Sequence, residues 1–398
     1  MKNRKKARNL PASKKLTQKG DTQKKAWTEK AIEYQKSYFV DTNRQSLRYE
    51  PGFVLFEKRK YAEAGRFFQK LVDADPNDAV ACFLLANAYS RSQRYPQAIR
   101  YFEKSIALLP DRSEPYTNMG FAYDCLEDYQ QAIRCFEKAV AINPKDAKAY
   151  NNMGITCNKQ EDYTKAIQCF EKAIVIDPNY AEPYYNMGLS YQNAKNPRPW
   201  EAIRCYQKAV ALDPNHVEAY YNMGTVYVER QQYEQAIRCF EKILVIEPTM
   251  SEAYHNMGIA YAEQQDYPQA IQYFEKALAI SPNDVVTYNN MGMAYRSQQD
   301  YPKAIECLQK ALAISPNNAD AHICMGYVYA DLGEHLQAVE WMKKGIQTDT
   351  SNMSGYEGLA KVYEDAGDKP SAVEYYRIAA RGGWESAQQW LRTHRYKW

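Results

Sequence analysis

No stretch of the 398-residue chain reaches the run of about 18 apolar residues that a membrane-crossing helix needs. The first residues are basic and polar with no apolar core segment, which predicts that they are not a secretory signal. The chain has no CxxC, and its five histidines are never spaced with a second ligand in a metal-binding pattern. A phosphate-binding glycine loop, a GxSxG elbow and an HExxH helix are also missing. These absences predict a protein without cofactor or metal that is not an enzyme. The carboxylates that are present, such as Glu137, Glu171, Glu241 and Glu275, precede lysines and read as solvated helix faces. Period-2 alternation is absent, so no strand is expected.

What the chain has instead is repetition. Residues 251–284, SEAYHNMGIAYAEQQDYPQAIQYFEKALAISPND, hold two apolar-periodic segments separated by a polar turn and closed by Pro282. Tyr254, Met257, Gly258 and Tyr261 mark the first segment; Ala270, Phe274 and Ala277 mark the second. Pro268 falls in the first turn of the second helix, where its missing N–H costs nothing. Glycines recur after methionine at Gly120, Gly154, Gly188, Gly224, Gly258, Gly292 and Gly326. Alanines recur at Ala64, Ala98, Ala132, Ala166, Ala202, Ala236, Ala270, Ala304, Ala338 and Ala372. A glycine within a helix costs about 1 kcal/mol against alanine, so seven at one position predict a close helix–helix contact. A hairpin this small cannot bury its own apolar stripe and must stack on its neighbours.

The period and the order aromatic–x2–Met–Gly–x2–Tyr, then Ala–x3–Phe, then Pro, resemble the tetratricopeptide repeat. The resemblance implies an all-α solenoid, a right-handed superhelix of about ten antiparallel helix pairs whose first helices line the concave face. The copies are expected at about 45–78, 79–112, 113–146, 147–180, 181–216, 217–250, 251–284, 285–318, 319–352 and 353–386. The fifth carries two extra residues in its turn, with Arg198 and Trp200 as a candidate edge contact. Residues 26–44, with Trp27, Ala31, Tyr34 and Tyr38 at helical spacing, read as an N-terminal cap, and 387–398 as a C-terminal capping helix.

Residues 1–25 hold ten lysines or arginines, Lys2, Arg4, Lys5, Lys6 and Arg8 among them, against Asp21 alone. The arm reads as disordered. It is a candidate tether to nucleic acid or an anionic membrane, although no aromatic before Trp27 offers a stacking platform. Nine cysteines is an odd number; five of them, Cys135, Cys169, Cys205, Cys239 and Cys307, share one position on the second helices. Neighbours in that column should lie about 10 Å apart, beyond disulfide reach. They read as soft fillers in a reducing compartment, which predicts a cytoplasmic protein, or a nuclear one in a eukaryote.

In the resembled family the sixth position of each first helix points into the groove. Here it reads Asn118, Asn152, Asn186, Asn222, Asn256 and Asn290. An amide donates and accepts together, so a row of them facing solvent could pair with an extended peptide backbone. The row is similar to the asparagine ladder of O-linked N-acetylglucosamine transferases. Around it Phe121, Ile155, Tyr185, Leu189, Tyr221, Ile259 and Met293 offer an apolar surface. The lysine set by which chaperone-binding members grip a carboxylate is not in the matching positions. The reading is a scaffold that binds an extended partner segment in the groove. The alternatives are an adaptor tethered by the basic arm and an assembly subunit that uses its outer, Cys-bearing face.

Overall fold

A computed structural model describes residues 46–397; the basic arm and the expected cap at 26–44 lie outside the described residues. Among the described residues there are only helices, turns and a short 3-10 segment, Ser46–Tyr49. The chain forms two compact units. Among the described residues one is 46–219 and the other 220–397.

The first unit runs α1 (Glu50–Glu57), α2 (Tyr61–Ala74), α3 (Ala79–Arg91), α4 (Tyr95–Leu108), α5 (Ser113–Cys125), α6 (Tyr129–Ile142), α7 (Ala147–Lys159), α8 (Tyr163–Ile176), α9 (Ala181–Asn193) and α10 (Pro199–Leu212). The unit boundary falls inside α11 (Val217–Glu229). The second unit continues with α12 (Tyr233–Ile246), α13 (Ser251–Glu263), α14 (Tyr267–Ile280), α15 (Val285–Ser297), α16 (Tyr301–Ile314), α17 (Ala319–Asp331), α18 (His335–Thr348), α19 (Met353–Asp365), α20 (Lys369–Arg381) and α21 (Glu385–Thr393).

The glycine and alanine columns explain why these helices pair. Phe68, Phe102, Phe136, Phe170 and Tyr206 in the first unit are fully buried, and so are Ala64, Ala98, Ala132, Ala166 and Ala202. Except in the second copy, where Ala86 replaces the glycine, the aromatic ring of the second helix lies where a β-carbon on the glycine of the first helix would be. A Cβ added at Gly154 would come 2.5 Å from Phe170 Cε1, and one at Gly188 would come 2.5 Å from Tyr206 Cε1. Gly258 and Phe274 repeat this in the second unit. Smaller or softer chains, Leu308 and Met342, replace the ring against Gly292 and Gly326. The expected close contact is therefore a ring laid on bare backbone.

The turns close in one way. The N–H of the residue entering the second helix donates to a carbonyl five residues back, as Arg94 does to Tyr89, Asp128 to Tyr123 and Asp162 to Cys157. This requires a left-handed residue before it; Gln93, Glu127 and Glu161 take that conformation, with Gly333 and Gly367 at equivalent places in the second unit. The two extra residues before α10 are looped out without breaking the closure, because Arg198 N still donates to Tyr191 O at 2.9 Å. Carboxylates cap many of the helices: Asp146 accepts from Ala149 N, and Asp284 from Val286 N.

The last helix begins at Glu385, two residues before the expected 387, because Gly383, with φ of 86°, turns the chain straight into it. Ala387 and Leu391 are fully buried. Trp390 stacks on Tyr376 at 4.0 Å, and both donate to Glu364.

One expectation about the second helices fails. Cys135, Cys169, Cys205, Cys239 and Cys307 are buried, so there is no Cys-bearing outer face. Burial lifts four of these thiols: Cys205 and Cys239 are pushed up to about 12, and Cys135 and Cys307 to about 11, whereas the hydrogen bond with Cys157 lowers Cys169. The second helix is flanked by two first helices, its own and the next pair's, and this column faces into the packing between them.

Candidate partner-binding surface

Within each unit the first helices of successive pairs touch one another as well as their own partners, so α3, α5, α7 and α9 form one row and α13, α15, α17 and α19 another. The sequence-predicted site residues lie on these rows, but not all of them are accessible.

The asparagines do not face solvent. Asn152, Asn186 and Asn222 are each 5% exposed and Asn256 is 1% exposed; only Asn118 and Asn290 are half-buried. Asn118 Nδ2 donates to Asn87 Oδ1 at 2.9 Å, and Asn186 Nδ2 to Asn151 Oδ1 at 3.2 Å. These two amides tie α5 to α3 and α9 to α7. Asn152 Nδ2 has no partner, and the Asn256 amide sits beside Tyr221 without a well-formed hydrogen bond at either end.

Tyr185 and Tyr221 are core rather than lining. Tyr185 packs on Tyr206 at 6.0 Å and on His216 at 4.6 Å. Tyr221 meets Phe240 at 6.2 Å. Their column points at the second helix of the same pair, where the ring laid on the glycine needs a lateral neighbour. His255 obeys the same geometry against Phe274, and burial lowers its pKa.

The accessible apolar residues are fewer. In the first unit Phe121 is 37% exposed, and Ile155 and Leu189 are half-buried. In the second unit Met293 is half-buried and Ile259 only 8% exposed. Trp200, at 43%, stands on the exposed start of α10, and the Arg198 guanidinium lies 5.8 Å over Tyr191.

Two cations were not anticipated. Lys148, at the start of α7, is driven down to about 8 by burial and by the charge of Arg91 at the end of α3. Burial also lowers Arg91. Both side chains are half-buried. The signal was in the sequence: Lys148 stands where Glu114, Glu182, Glu218 and Glu252 occupy four other copies, and no other copy has a cation there. At the other end of α7, Lys159 pairs with Asp124, which also accepts from Thr156 Oγ1 at 2.8 Å.

Among the described residues no cluster of three or more His, Cys, Asp or Glu could hold a metal ion, and no helix is long and apolar enough to cross a membrane.

The geometry defines a stacked helical-hairpin repeat protein. Tetratricopeptide repeat profiles match residues 79–145, 215–283, 249–317 and 284–351, and further ones match 147–180 and 169–203. The chain belongs to the tetratricopeptide repeat family, as an all-α repeat solenoid of the protein-interaction scaffold class. Residues 354–384, within the expected tenth copy at 353–386, match the Sel1 repeat. No curated protein matches.

Among solved structures, MamA is 29% identical, with a TM-score of 0.40, over 43% of this chain and 92% of that one. YrrB, described as a TPR protein with an unusual peptide-binding site, is 24% identical, with a TM-score of 0.42, over 47% and 95%. Yeast Tom70 is 15% identical, with a TM-score of 0.48, over 87% and 94%.

Proposed function

We propose that the chain is a non-catalytic scaffold that binds an extended segment of a partner protein along the first helices of residues 79–193. The observation that supports this most is the strip of Phe121, Ile155 and Leu189, which stays accessible while the neighbouring columns are closed. Packed helices lie about 8–10 Å apart. A segment in the polyproline II conformation rises about 3.1 Å per residue and returns to one face every third residue, so every third side chain meets one step of the strip.

Arg91 and Lys148 add a charge preference. Two poorly solvated cations favour a segment that carries a carboxylate, which would repay their lost hydration. Asn118 and Asn186 serve this reading by fixing the spacing between first helices rather than by forming a solvent-facing ladder.

A pulldown with quantitative mass spectrometry compares the wild-type chain with Phe121→Asp and with Val175→Asp, an exposed control on α8. Specific partners should be lost from the Phe121 variant and kept by the control. Equal partner sets in all three would end the reading.

The alternative of a basic tether rests on residues outside the described ones. Deleting 1–25 should abolish salt-sensitive binding to DNA, RNA or anionic vesicles if that reading holds.

A further inference from the structure

A cleft of about 480 Å³ opens between α2 and α3, and Gly65 forms its floor. Every later copy has a branched aliphatic residue at this position, for example Ile99, Ile133, Ile203, Ile237 and Ile271, all buried. The missing side chain accounts for the space: a β-carbon at Gly65 would meet only Ala88 Cβ, at 3.6 Å.

A second departure from the repeat falls in the same cleft. Arg94 lines it, where Asp128, Asp162, Asp266, Asp300 and Asp368 stand in other copies. A third is Gln69, in the column of Glu103, Glu137, Glu171, Glu241 and Glu275. Arg66 and Lys70 complete the rim. The equivalent place around Ile237 sets Arg238 and Lys242 against Glu241 and Asp266; here three cations line the cleft and no acid does. Arg198 shares the column of Arg94, but Ile167 and Glu171 fill the other two positions there.

The nearby acids, outside the cleft lining, are paired. Glu63 pairs with Lys60 at 3.1 Å, and Asp73 accepts from Gln69 Nε2 at 2.8 Å. Gln69 Oε1 is taken by the hydroxyls of Tyr89 and Tyr101, and these two rings stack at 5.7 Å into a firm wall. Arg94 lies 5.2 Å over the Tyr89 ring.

We infer that this cleft is a second docking site, which takes one branched aliphatic side chain of an acidic segment on a partner protein. The floor lacks the volume of the isoleucine side chain that the other copies supply, and the rim has the charge opposite to acidic flanks. The site lies between α2 and α3, away from the strip of Phe121, and does not depend on it.

Fluorescence anisotropy with the full chain and labelled Glu-Glu-Ile-Glu-Glu tests this, against a Gly-centred probe and a Lys-flanked one. The Ile-centred acidic probe should bind. Replacing its isoleucine by glycine should weaken it by about tenfold or more, and the Lys-flanked probe should not bind. Gly65→Ile restores the array's own residue and should remove binding while the unfolding midpoint holds or rises. Arg94→Asp should weaken binding severalfold, more at low salt than at high. Phe121→Asp should leave it unchanged. Wild-type affinity in Gly65→Ile, equal binding of the Ile- and Gly-centred probes, or no binding to the wild-type chain would each overturn the inference.

Discussion

Alanine should have opposite effects at two helical glycines of the first unit. At Gly154 the new β-carbon would stand 2.5 Å from Phe170 Cε1 and 2.8 Å from Cζ. Phe170 is fully buried, between Ala166 and Ala173, which are themselves fully buried, so the ring has nowhere to go. Alanine gains about 1 kcal/mol of helix propensity, but forcing an extra carbon into a filled core costs about 1–3 kcal/mol. The net effect should be a loss of up to about 2 kcal/mol. At Gly65 the same carbon meets only Ala88 Cβ at 3.6 Å, an ordinary contact. There the propensity gain stands alone, and Gly65→Ala should raise stability by about 0.5–1 kcal/mol. Gly292 should fall between them, because its nearest neighbour is Leu308 Cγ at 3.0 Å. Urea unfolding followed by circular dichroism gives the three signs. A shift in the same direction for Gly65→Ala and Gly154→Ala would refute the ring-on-backbone account of the repeat.

Removing 385–398 strips Leu391 and the Trp390–Tyr376 stack, and the denaturation midpoint should drop by the equivalent of a few kcal/mol. An unchanged midpoint would refute the cap. Gly333→Gln puts a side chain at φ of 79° with nothing within 4 Å, so only backbone strain of about 1 kcal/mol should appear in the midpoint. The buried thiols of Cys135, Cys205, Cys239 and Cys307 make stability fall in alkali. Their folded pKa values lie above the ordinary 9, so their contribution is complete below pH 9 and lost as pH rises towards 11–12. Cys239→Ala should flatten that fall in a pH series of thermal melts, and an identical slope would count against it.

Columns with one neighbour were legible in the sequence; columns with two were not. The hairpins, turns and glycine–aromatic contact follow from a 3.6-residue period that repeats every 34 residues. Positions five and six of each first helix lie about 100° apart and border both flanks, so the period alone cannot say whether they meet their own second helix or the next first helix. That is why Tyr185 and Tyr221 prove to be core and the asparagines are largely enclosed. The cysteine column misled for the same reason, because a second helix is covered on two sides. Gly65, Arg94 and Lys148 were visible as departures from their columns. Their meaning needed the fold, which brings Gly65 and Arg94 to one cleft and sets Lys148 against the charge of Arg91.

The central claim is that partners lie along the first helices of residues 79–193, and site-specific photo-cross-linking tests it most directly. A photoreactive phenylalanine analogue replaces Phe121 in one sample and Val175, 81% exposed on α8, in another. The account predicts partner adducts from position 121 that a Lys148→Glu substitution diminishes, and none from position 175. Adducts from position 175 with none from position 121 would contradict it.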